Sequence, residues 1–148
     1  ALAEGRAQVR RNAEAYEALV AAARTAAACL NNGPRMLAVY DACLAAQRAR
    51  NRGAAAEAAA AALSPAVEAL EAIAAELDEA TDLVARQWDR TRHGDDPNKH
   101  LDDVDRPCGR DKLLGRLARG RAAVRRTLEA FREGVSTVAA GGELPRWG

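Results

Sequence analysis

The chain has little of what usually fills a thick hydrophobic core. Five of its 148 residues are aromatic: Tyr16, Tyr40, Trp88, Phe131 and Trp147. β-Branched residues are sparse outside a few Val positions, so the alternating pattern that a sandwich or barrel requires is missing. Its three cysteines, Cys29, Cys43 and Cys108, are too few and too irregular for a disulfide framework, and none forms a CxxC pair. The longest apolar stretches are Ala runs broken by Glu or Arg, which predicts neither a membrane span nor a signal peptide. A net charge of +1 gives no argument for a partner of either sign. These absences together lead us to expect a reduced intracellular, cytoplasmic protein.

Ala supplies about a quarter of the residues, and it is the strongest helix former. Because Ala buries little area, helices that meet through it must approach closely and gain stability from many small contacts. Arg outnumbers Lys twenty to two, the two being Lys99 and Lys112. A GC-rich codon bias accounts for both the Ala and the Arg; the alternative is that Arg serves to pair bidentately with carboxylate or phosphate.

Periodicity divides the chain into four predicted helices, at about 2–30, 35–63, 65–93 and 111–139. In the first, Leu2, Val9, Tyr16, Ala23 and Leu30 recur every seven residues, with Leu19 and Ala26 between them. Asn31-Asn32-Gly33-Pro34 reads as its stop and as the start of the second helix. There Met36, Tyr40 and Cys43 share a face flanked by Leu37 and Leu44. The following corner falls at Gly53 or at Ser64-Pro65, and similar helix lengths favour Ser64. In the third helix Val67, Ala74, Thr81 and Trp88 repeat at seven, interleaved with Leu70, Leu77 and Val84. The fourth alternates steps of three and four through Leu114, Leu117, Arg121, Val124, Leu128, Phe131, Val135 and Val138. Residues 94–110 form an Asp-rich loop, and 141–148 an extended tail that includes Trp147.

Four such segments predict an all-α protein, an up-down four-helix bundle of long Ala-rich helices. The alternative is an elongated helical hairpin, or antiparallel coiled coil, completed by self-association. We read residues 1–148 as a single helical domain, open to being one segment of a larger protein.

Chemistry-bearing groups are few. Arg86, Arg90, Arg92, Arg106, Arg110, Lys112, Arg116 and Arg119 would gather at one end of antiparallel third and fourth helices and could bind an anion there. The loop carboxylates Asp95, Asp96, Asp102, Asp103 and Asp105 could neutralise them. With His93 and His100 these carboxylates are also potential metal ligands, but their spacing fits no calcium loop, and no metal site or cofactor is assigned. Cys108, between Arg106 and Arg110, is the thiol whose surroundings favour thiolate.

Arg86-Gln-Trp-Asp-Arg-Thr-Arg-His93 resembles the motif of HEPN helical-bundle ribonucleases in its Arg and His, while Gln87 departs from the small polar residue usual there. The resemblance implies a dimer in which His93 acts as acid or base and Arg86 steadies phosphate charge.

The leading functional expectation is a non-enzymatic helical scaffold or protein–protein interaction module. Its pairing seam would run through Val67, Leu70, Leu77, Val84 and Trp88, and through Leu114, Leu117, Val124, Leu128, Phe131, Val135 and Val138. The partner would be another protein or a second copy. The alternatives are a nucleic-acid-directed protein, as basic-patch binder or HEPN-like ribonuclease, and a bundle that binds a small ligand between its helices.

Overall fold

A computed structural model describes residues 13–91 and 109–144, with residues 91 and 109–113 described by backbone alone. Among them there is no strand, and the helices are α1 (Ala13–Asn51), α2 (Ala56–Ala61), α3 (Ser64–Thr91) and α4 (Gly109–Ala139). The protein is an all-α helical bundle of three long helices, one of them bent, that pack against each other.

The main departure from expectation lies in α1. The predicted helices 2–30 and 35–63 share one continuous helix through Asn31-Asn32-Gly33-Pro34. Pro34 removes one backbone donor and crowds the preceding turn, a local cost that a helix can bear when its packing continues on both sides. Gly33 and Pro34 are exposed, so water can satisfy the carbonyl left over in that turn.

The chain turns instead at Gly53, whose φ is 73°. Gly53 N–H donates to the Arg50 carbonyl at 2.9 Å and Ala54 N–H to the Ala49 carbonyl at 3.0 Å, the paired bonds of a Schellman cap. A single turn of helix, α2, follows, and α3 opens at Ser64 with Pro65 in its first turn, where a missing N–H costs nothing. Both expected corners are therefore used, and α2 fits between them.

The chain forms two compact units, Ala1–Cys29 with Glu76–Gly120 and Leu30–Ala75 with Arg121–Gly148. In the first unit the residues buried from water are small: Ala21, Ala28, Ala80 and Thr81. Thr81 satisfies its hydroxyl by donating to the Leu77 carbonyl at 2.6 Å. Arg24 pairs with Glu79 and Arg90 with Glu17, a crossed order that makes α1 and α3 antiparallel here. These pairs are exposed and contribute little to stability individually.

The second unit holds the larger core. Val39, Ala42 and Ala46 of α1, Ala59 and Ala60 of α2, and Leu63, Ala66 and Leu70 at the start of α3 meet Leu128, Phe131 and Val138 of α4. Ala46, Ala59 and Ala66 are fully buried, and small residues at these positions let the helix backbones come close. At its edge Arg132 donates to Glu71 across α4 and α3 at 2.7 Å.

α4 ends in a second Schellman cap. Gly141, at φ 83°, donates to the Val138 carbonyl at 2.9 Å, and Gly142 donates to the Thr137 carbonyl at 2.8 Å. The turn directs Leu144 back onto the core of this unit. A Cβ on Gly142 would lie 2.5 Å from Thr137 Cγ2 and 2.8 Å from its carbonyl oxygen. Gly142→Ala should therefore cost about 1–3 kcal/mol, as overpacking does. Gly141→Ala, strained only by its positive φ, should cost about 1 kcal/mol. Urea unfolding of the two variants checks the order; a neutral Gly142→Ala would contradict the tight cap.

Candidate functional site

The face of α1 that leaves the core is apolar. At 100° per residue, Val39, Ala42 and Ala46 point inward, while Leu30, Gly33, Leu37, Tyr40 and Leu44 run along the roughly opposite side in alternating steps of three and four. Leu30 is 77 % exposed, Leu37 64 %, Tyr40 59 % and the adjoining Met36 49 %. A helix that is apolar on both sides is normally covered on both sides.

Beside this stripe Met36, Val39, Tyr40, Cys43, Leu44 and Gln47 form one wall of a groove of about 480 Å³, closed by Leu63 and Leu144. The Gly141–Gly142 turn places Leu144, and the Gly53 turn with α2 brings in Leu63. The groove opens to solvent along Met36 and Tyr40. Among the described residues its polar side chains are Gln47, which donates to Asn51 Oδ1 at 2.9 Å, the Tyr40 hydroxyl and the Cys43 thiol.

Burial pushes the Cys43 thiol up from 9.0 to about 11. The folded chain thus holds this proton more tightly than the unfolded chain. The stability it contributes is complete below about pH 9 and is lost as pH rises through about 11. Cys29 is exposed on the same helix. At pH 8 a maleimide should modify Cys29 well before Cys43, and urea should abolish the difference, as mass spectrometry over time would record. Equal rates in the folded chain would contradict the burial of Cys43.

In the first unit a second groove, about 520 Å³, lies between the Ala-rich face of α1 (Ala18, Ala21, Ala22, Ala26) and Val84, Gln87 and Trp88 of α3. Trp88, the last residue of the expected seam on the third helix, is half-buried against this wall of small residues.

The predicted pairing seam of the third and fourth helices is partly used inside the molecule. In the second unit Leu70, Leu128, Phe131 and Val138 are buried, Val67 and Val135 pack against them, and Val124 is half-buried. In the first unit Leu77, Val84, Leu114 and Leu117 are half-buried. Among the described residues the large apolar side chains left open are on α1, where Leu19 of the first unit is also 59 % exposed. Sequence reasoning missed this stripe because it assigned Leu30 and Leu37 to different helices. The signal was present: the three–four alternation passes through Gly33 unbroken.

The charged candidates are less assembled. Arg90 is engaged by Glu17, and Arg86, Arg116 and Arg119 are exposed. Arg92, Arg106, His93, His100, Cys108 and the loop aspartates lie outside the described residues, as does Trp147, and the side chains of Arg110 and Lys112 are not described. Among the described residues no group of three His, Cys, Asp or Glu side chains could hold a metal ion. Ala56–Arg90 has the length and hydropathy of a membrane-crossing helix, as core helices of soluble proteins also can, and the turn at Ala62-Leu63 interrupts it.

No known family, curated protein or solved structure matches this chain. Its function must be read from its own surface.

Proposed function

We propose that the protein is a non-enzymatic helical interaction module that docks a partner helix on the outer face of α1. The observation that carries this reading is the stripe Leu30–Leu37–Tyr40 with Met36 beside it, apolar, heptad-spaced and open to water. Together these four expose on the order of 450 Å², the size of the largest apolar patch on an ordinary monomer, which is often functional.

The stripe carries no charge between Leu30 and Leu44 on its own positions, as the centre of an interface does; Asp41 and Arg48 flank it. Its spacing is that of knobs offered to the holes of another helix.

The reading is tested by titrating isotope-labelled protein with synthetic amphipathic helices carrying Leu at heptad positions. Saturable NMR shifts confined to residues 30–47 and Leu63, lost in Leu37→Arg, are expected. No shift at millimolar peptide would remove the docking reading.

A further inference from the structure

We infer that the occupant of the α1 face is the same face of a second copy of this chain, laid antiparallel across a two-fold axis near residue 35. The inference rests on the docking reading above and names its partner. The spacing of the stripe makes it self-complementary. An axis at 35 sets position i of one protomer against position 70 − i of the other. Gly33 then faces Leu37 and Leu30 faces Tyr40, each layer occurring twice by symmetry.

These are the layers an antiparallel helix pair requires, since the first apolar position of the heptad faces the fourth. The layer with Gly33 pairs the smallest side of α1 with a large exposed Leu. Gly33 has nothing within 4 Å of where a Cβ would sit, so the space is present on each protomer and a Leu of the opposing helix can enter it. An in-register parallel pair would set Gly33 against Gly33 and leave a hole at its centre.

The area is that of a weak, transient dimer. Two stripes on the order of 450 Å² each bury roughly 900 Å² from four side chains apiece, just below the ~1,000 Å² at which a biological interface is usual. Gly33, Pro34 and Asp41, exposed on the same side of α1, would add to it. Partial exposure of Cys43 and Leu44 at the groove beside the stripe lets the second helix shield them as it docks.

The test is a concentration series on the full chain by sedimentation equilibrium. Wild type is expected to pass from monomer to dimer between roughly 1 and 300 µM, the range of a small interface. Leu37→Arg and Gly33→Trp should both remain monomeric at the highest concentration. Both positions are exposed, so circular dichroism melting of dilute protein checks that each variant folds as wild type does. Gly33→Trp separates the antiparallel register from general stickiness, because a larger apolar residue would strengthen a nonspecific contact and here must block Leu37.

In a Cys29→Ser, Cys108→Ser chain, alkylation of Cys43 should slow as protein concentration rises across the same range. A wild-type chain that stays monomeric at 300 µM overturns the inference. If it then still binds the synthetic helices at residues 30–47, the docking reading survives with another partner, and if it binds neither, both fall. A dimer that Gly33→Trp tightens would overturn the register.

Discussion

Phe131→Ala is expected to lower the stability of the protein by about 3–5 kcal/mol, the cost of emptying a large aromatic site in a packed core. Phe131 is 2 % exposed and belongs to the cluster that joins α4 to Val39, Ala42 and Ala46 of α1 and to Leu63 and Leu70. Half of the other buried residues in that cluster are Ala, which has no rotamer that could reach in to refill the space. Against a total of about 5–15 kcal/mol for a natural domain, this loss should bring the midpoint of thermal unfolding down by roughly 10 °C or more. Leu19→Ala is the control: an exposed apolar residue removed from α1 should change stability by less than about 0.5 kcal/mol. Urea titration followed by circular dichroism compares them, and a Phe131→Ala loss below 1 kcal/mol would contradict the core.

The second large effect has the opposite sign. Pro34→Ala should stabilise the chain by about 2 kcal/mol. Replacing an interior helix proline by Ala recovers about 3 kcal/mol of helix propensity, restoring a donor to the Leu30 carbonyl and relieving the ring's clash with the preceding turn. The more flexible unfolded chain takes back about 0.4–1 kcal/mol. Pro34 is exposed, so no side-chain contact opposes the gain. A destabilised Pro34→Ala would contradict this account of the proline as a local cost borne by the helix.

These two residues mark what was legible in the sequence. The seam on α4 could be read because its large residues are also its buried ones: Leu128, Phe131 and Val138 stand where the heptad puts them. The start of α3 could be read for the same reason, through Leu70 and Val67. On α1 the rule inverted. The buried residues are Ala21, Ala28, Ala42 and Ala46 with Val39, while Leu19, Leu30 and Leu37 face water. A period count weighted by side-chain size therefore selects the outer stripe as the core face.

The stop at Asn31–Pro34 failed for a related reason. Its residues carry local preferences for a turn, each worth about 1–3 kcal/mol, and the continuous packing of α1 after Pro34 outweighs them. At Gly53 and Gly141 the same kind of local signal prevailed, because there both central hydrogen bonds of the cap are made. The candidate site was half legible: Met36, Tyr40 and Cys43 shared a face flanked by Leu37 and Leu44, but only the fold shows that Met36, Leu37 and Tyr40 look outward.

The hook at the end of α4 has a mechanical consequence. Leu144 rests against the second unit's core and lines the groove beside Gln47, near the far end of α1. A pull on the chain at residue 144 therefore meets this contact before it reaches the last turn of α4. In a force experiment, release of Leu144 should precede any lengthening of α4, and Leu144→Ala should lower the first rupture force while leaving the later ones unchanged.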